Sequence, residues 1–90
     1  MEIYLFRWDQ DSIDHIATHG VTPWEVEDTA FEGAPYIRKG RYGRRYLYGR
    51  TLAGRYLFVA FILEGKGEAK VITARDMDAK EKRLYLKRGK

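Results

Sequence analysis

The 90-residue sequence contains no cysteine, two prolines and two methionines. Without cysteine there is no disulfide, no thiolate nucleophile and no Cys-ligated zinc, so any chemistry must come from His, carboxylate, Tyr, Lys or Arg. No stretch approaches the roughly 18 apolar residues of a spanning helix. The opening "MEIYLFRWD" lacks the basic region and small-residue cleavage site of a secretory signal. A cytoplasmic protein with no membrane association is therefore expected. Positive charge is almost missing from the first third: residues 1–34 hold one cation, Arg7, against eight acids, a net of −7. Residues 35–90 hold sixteen Lys and Arg against five acids, a net of +11.

With 44% apolar and 33% charged residues, the chain can bury a core and keep a solvated surface. Its length fits a single domain over residues 1–90. So basic a block suits a polyanion such as RNA or DNA, while the acidic third can cover helix surfaces or meet a basic partner.

"EIYLFRW" alternates Ile3, Leu5 and Arg7 against Tyr4, Phe6 and Trp8, which predicts a strand with aromatics on one side. A helix follows, capped by Asp9 or Asp11, with an apolar stripe of Ile13, Ile16 and Ala17 and a left-handed Gly20 after it. "VTPWEV" starts a second helix, with Thr22 at the N-cap, Pro23 at N1, Glu25 at N3 and a Val21/Val26 staple. It runs to about Phe31, and residues 35–43 read as a basic loop. Strands at "RRYLYGRT", "RYLFVAFILEG" and "AKVITAR" then form a meander, whose second member, apolar on both parities, takes the middle of the sheet. A cationic helix begins near Asp78. The predicted fold class is α+β: a strand, two N-terminal helices, a three-stranded antiparallel meander and a C-terminal helix.

Side chains two apart on a strand share a face, so Arg44, Tyr46, Tyr48 and Arg50 form one row and Arg45, Leu47 and Gly49 the other. Guanidinium alternating with phenol is suited to single-stranded nucleic acid, since cations neutralise phosphates while rings stack on bases. On the last strand Ile72 and Ala74 read as the helix-facing pair, which places Arg75 on an open face with Tyr46 and Tyr48.

Arg75 ends a strand just before a break, where a guanidinium can stabilise charge growing on a phosphate; Arg45 is a second candidate. Glu81 is either a base or the N3 member of a capping box with Asp78. Tyr85 lies one helical turn on, on the same face as Glu81, available to bond a phosphoryl oxygen or to pack. His15 and His19 are spaced i, i+4. Without H-E-x-x-H or a third ligand they do not predict zinc, but imidazole near neutrality suits acid–base work on RNA.

"FRWDQDSIDHIATHGVTPWEVEDTAF", "RRYLYGRTLAGRYLFVAF" and, most specifically, "VITARDMDAKEKRLY" together resemble the BrnT family of type II toxins, relatives of the RelE-like ribonucleases. In the last segment Arg75, Glu81 and Tyr85 match the family's spacing of Arg, then Glu six and Tyr ten residues later. The acid that precedes the family's Arg before the central hairpin is replaced here by Arg44, and the frequent first-helix Lys is absent. The resemblance implies an RNase that inhibits translation without metal or other cofactor. It also implies a cognate antitoxin with a DNA-binding segment, through which alone operator DNA would be reached. Catalytic roles would fall to Arg75, Arg45, Glu81, Tyr85 and His19, and RNA binding to Arg44, Tyr46, Tyr48, Arg50 and His15. A noncatalytic RNA- or antitoxin-binding module of the same fold is the alternative.

Overall fold

A computed structural model describes residues 3–88. The elements run β1 (Leu5–Arg7), α1 (Gln10–Ala17), α2 (Pro23–Phe31), β2 (Tyr36–Lys39), β3 (Arg44–Arg50), β4 (Tyr56–Glu64), β5 (Glu68–Asp76) and α3 (Ala79–Lys87). One sheet has the order β1-β5-β4-β3-β2. Neighbours are antiparallel except β1, which lies parallel to β5 after the long crossover through the rest of the chain. The α+β class and the central place of β4 agree with the sequence.

Each helix begins with a reciprocal capping box that satisfies two otherwise orphaned backbone donors: Asp9 with Ser12, Thr22 with Glu25, and Asp78 with Glu81. Val21 and Val26, either side of the second cap, are both buried in the core. Helices α1 and α2 cover one sheet face, where Ile16, Val26 and Ala30 join Leu47, Leu57, Val59 and Phe61. Fully burying each of the Ile, Val, Leu and Phe side chains contributes about 1.5–3 kcal/mol. Gly49 shows how closely the layers meet, since a Cβ there would lie 2.3 Å from the Thr29 methyl. The other face holds Tyr48, Phe58 and Ala60 under Tyr85 of α3, with Tyr46, Tyr56, Ile72 and Leu84 packed around them.

Four expectations are corrected. Residues 36–39 are a strand and not loop, so the meander has four strands; β2 pairs Tyr36 with Tyr48 and Arg38 with Tyr46. An edge strand that ends in Arg38-Lys39 looks like loop in sequence because edges are commonly protected by charge. The first strand is shorter than its alternation, and a bend at Tyr4 leaves that ring 77% exposed while Ile3 and Phe6 enter the core. On α1 the buried positions are Ser12 and Ile16, and Ala17 is exposed. Finally, Ile72 and Ala74 do not share a face. The pairing of β5 slips between Ala60↔Thr73 and Phe61↔Val71, a bulge that inserts Ile72. Val71 and Ala74 both join the α1/α2 core, and Ile72 packs on the α3 side.

Candidate functional site

The site is built where β5 hands the chain to α3. Arg75 pairs in register with Phe58 of β4, and its guanidinium carbon stands 4.4 Å over the centre of that ring. Met77 N–H donates to the Tyr56 carbonyl, which holds the turn against β4, and Asp78 then caps α3. At N3, Glu81 points back over this turn. Its carboxylate accepts a fork from Arg75, Nη1 to Oε1 at 2.8 Å and Nη2 to Oε2 at 2.9 Å, and Oε1 also accepts the Asp78 N–H at 2.9 Å. The Glu81 side chain is 16% exposed and that of Arg75 36%, so the pair is open to solvent mainly on the guanidinium side. The hydrogen bonds that Arg75 donates to Glu81 push its pKa further above its ordinary value, and Arg75 remains a cation at any physiological pH.

Tyr85 lies under this turn. Its ring is buried edge-on to Tyr56, and its hydroxyl donates to the Ala34 carbonyl at 2.9 Å. The phenol is thus engaged with the α2–β2 connection and does not project toward Arg75 as a free donor. Arg75, Glu81 and Tyr85 share one end of one sheet face.

The other candidates divide by face. Arg45 pairs with Phe61 and belongs to the α1/α2 side, across the sheet from Arg75. The expectation that these two arginines hold one phosphate is corrected, because strand parity points them apart. His15 and His19 lie on α1 and the turn after it. Their rings are 5.7 Å apart, and His15 Nε2 lies 3.2 Å from Thr73 Oγ1. Among the described residues no group of three or more His, Cys, Asp or Glu gathers as a metal site.

The open phenol platform is likewise corrected. Tyr48 is only 5% exposed, beneath α3, and its burial raises the phenol pKa. Tyr46 is half-buried beside Phe58, and its ring is so close to Gly40 that a Cβ there would lie 2.6 Å away. Neither ring lies open for a base, although the row does share its face with Arg75. Of the flanking arginines, Arg50 pairs with Tyr56 at the Arg75 end, whereas Arg44 pairs with Ile62. Ile62 is four residues from Phe58 along β4, roughly 13 Å away.

Two residues escaped the sequence reading. Arg38, placed by β2 on the same face, lies beside the Tyr48 hydroxyl and opposes the rise in its pKa. Arg55 clasps the far side of the junction: it donates to Asp76 at 2.7 and 3.2 Å, to both Glu25 oxygens, and to the Gly20 carbonyl at 2.8 Å. These bonds, those to Asp76 first, push its pKa upward. A cation was implied by the acids of the first third, but partners 21 and 30 residues away leave no local pattern.

Among the described residues, three α-helices and a five-strand mixed sheet, with an Arg–Glu fork at the last strand-to-helix junction, define the class. No protein-family model matches the chain, and no curated protein matches it. Among solved structures it is similar to the Brucella abortus ribonuclease toxin BrnT, with a TM-score of 0.67 and 19% identity over 82% of this chain and 96% of that one. The fold is therefore BrnT-like. Among the described residues no helix is long and apolar enough to cross a membrane.

Proposed function

We propose that this protein is the toxin of a type II toxin–antitoxin system, a divergent BrnT-like endoribonuclease that inhibits translation by cutting RNA without a metal. The observation that carries this reading is the solvent-facing Arg75–Glu81 fork, set at the end of β5 on a fold shared with a ribonuclease toxin. A phosphate entering at Arg75 competes with Glu81 for the same two N–H groups. Exchange of one anion for the other leaves the guanidinium on the phosphate and frees an ionised carboxylate beside it.

The ribose 2′-oxygen then attacks the adjacent phosphorus as its proton passes to Glu81. The bond from phosphorus to the 5′-oxygen breaks, and that oxygen takes a proton from solvent. The products are a 2′,3′-cyclic phosphate and a free 5′-hydroxyl. Arg75 stabilises the charge that grows on the phosphoryl oxygens, and Tyr85, bonded to the Ala34 carbonyl, serves as a structural support of α3. Arg50 is the RNA-binding arginine nearest this site; Arg44 lies at the other end of β3 and Arg45 on the opposite face, while His15 meets Thr73, two residues along β5 from Arg75.

Incubating the purified protein with RNA in excess chelator tests the reading. Continued cleavage with cyclic ends is expected, and Arg75→Ala should lower the rate by a factor on the order of 10²–10³. Loss of cleavage on chelation would overturn it in favour of a metal-dependent nuclease. The second reading, a noncatalytic module, is favoured by one observation: the Tyr85 hydroxyl and the Glu81 carboxylate are both already engaged internally. RNA bound but left intact would select it. In either case the partner we propose is a cognate antitoxin with a DNA-binding segment. It would cover the basic α3 face in the cytoplasm and suppress RNA binding when added to the toxin.

A further inference from the structure

Next to the Arg75 fork, a cleft of about 410 Å³ opens between α3, the end of β3 and the α2–β2 connection, lined among others by Ala34, Arg50, Tyr56, Tyr85, Leu86 and Arg88. Among the described residues, Arg50 and Arg88 are its only charged lining residues. Arg88 stacks on Tyr85 with its guanidinium carbon 3.8 Å from the ring centre, while its N–H groups reach the carbonyls of Tyr85 at 2.9 Å and Ala34 at 3.1 Å. Arg50 lies 5.6 Å and the Lys82 ammonium 4.4 Å from the centre of the Tyr56 ring, which meets Tyr85 edge-on at 6.0 Å.

Among the described residues, the partners of these cations are rings and carbonyls. Arg75 and Arg55 are matched by carboxylates, but among the described residues no carboxylate forms an ion pair with Arg50, Lys82 or Arg88. Three like charges around two touching rings repel one another, and an isolated exposed cation–π contact contributes only about 0.5–1 kcal/mol. An anion in the cleft removes the repulsion. A guanidinium held against a ring can offer N–H groups to a phosphate and its outer face to a base. The exposed side chains of Leu52 and Leu86 supply apolar walls for such a base. Tyr56 and Phe58 point to the same face two residues apart, roughly 7 Å along β4. The cleft therefore continues directly from the Arg75 station.

We infer that this cleft is a second nucleotide subsite, which holds the phosphate and base of a single-stranded RNA flanking the phosphate at Arg75. The inference rests on the ribonuclease reading for the identity of the strand, and it extends the site beyond the junction residues. An acidic peptide would use the guanidinium edges but leave the supported planes and apolar walls idle.

The test uses 2′-O-methylated oligonucleotides, which lack the attacking hydroxyl and bind uncut. For the double variant Arg50→Gln/Lys82→Gln, hexamer affinity should fall about tenfold or more, and the salt slope of binding should become shallower by about 1.4, from two lost single-strand phosphate contacts. A dinucleotide, which fills only the Arg75 station, should keep its affinity. Arg88→Gln is measured separately, with circular dichroism to check the fold, because Arg88 also bonds the Tyr85 carbonyl of α3 and the Ala34 carbonyl. Unchanged hexamer affinity and salt slope in the double variant overturn the subsite. Equal affinity and slope for an oligoglutamate of the same length overturn its assignment to nucleic acid. If the wild-type protein cuts no RNA yet its hexamer binding still depends on Arg50 and Lys82, the subsite stands and the ribonuclease reading fails.

Discussion

Glu81 Oε1 accepts hydrogen bonds from two donors, the Asp78 backbone N–H at 2.9 Å and Arg75 Nη1 at 2.8 Å. One carboxylate thus starts α3 and holds the guanidinium that ends β5. The two jobs separate by charge, because capping needs an acceptor oxygen whereas the fork needs an anion. Glu81→Gln keeps the first and weakens the second. Its loss of stability should stay below about 1 kcal/mol, since the pair is partly exposed and screened. Affinity for uncleavable RNA should rise as Arg75 is released, and cleavage should fall by a factor on the order of 10²–10⁴ if Glu81 takes the proton. Fluorescence anisotropy and a gel cleavage assay read the two effects, and a parallel fall in both would argue against the anion exchange.

Arg55 ties the turn after α1, the start of α2 and the end of β5 into one ion cluster. Arg55→Met removes the cation and leaves Glu25 and Asp76 facing one another's charge. The expected cost is about 2 kcal/mol, from lost charge-assisted bonds, seen as a lower urea midpoint at neutral pH. Acid dependence gives a sharper reading. The bonds from Arg55 hold the Asp76 carboxyl below its ordinary range. This contribution is complete above the unfolded value, about 3.9, and is lost as pH falls through the lower folded value. The variant should show a flatter decline of stability below pH ~4 than the parent. An unchanged acid limb would remove Arg55 from the cause.

The Tyr85 hydroxyl can be tested as a structural group. Tyr85→Phe leaves the ring under Arg88 and against Tyr56 and removes only the bond to the Ala34 carbonyl. That carbonyl still receives Arg88 Nη2, so the cost should be about 1 kcal/mol. Cleavage should stay within about a factor of two of the parent, below the 10²–10⁴ that a lost acid–base group typically costs. A larger loss of rate with an unchanged thermal midpoint would return the phenol to the chemistry.

These residues also show where the sequence was readable. Thr22, Pro23 and Glu25, like Asp78 and Glu81, mark helix starts because a cap is a local bargain among four neighbours. The centre of β4 was legible because only a strand covered on both faces is apolar on both parities. Parity also separated Tyr46 and Tyr48 from Arg45, but it does not say which face a nine-residue helix will cover. That choice buried Tyr48 and spent Tyr85 on Ala34. The Ile72 bulge was hidden because one inserted residue breaks no local propensity, only the alternation that follows. Arg75 and Glu81 could be placed together because six residues bridge a strand end and the first turn of a helix. Arg55 could not, because its partners arrive through the tertiary fold.

Thr29 offers a measure of how the core supports the site. It sits on α2 against Gly49, fully buried, and among the described residues its hydroxyl has no hydrogen-bond partner. A buried hydroxyl without a partner costs about 1–3 kcal/mol relative to water. Thr29→Val keeps the branched shape that meets Gly49 and replaces the hydroxyl with a methyl of similar size. The variant should therefore gain about 1 kcal/mol, seen as a higher thermal midpoint with an unchanged denaturant slope. Gly49→Ala should do the opposite, losing about 1–3 kcal/mol, because its Cβ would press on the same Thr29 methyl from the sheet side. Combining the two distinguishes shape from polarity. If the hydroxyl is the only fault, Thr29→Val leaves the Gly49→Ala penalty intact; if the layer spacing relaxes, the two changes couple, and the double variant departs from additivity by more than about 0.5 kcal/mol.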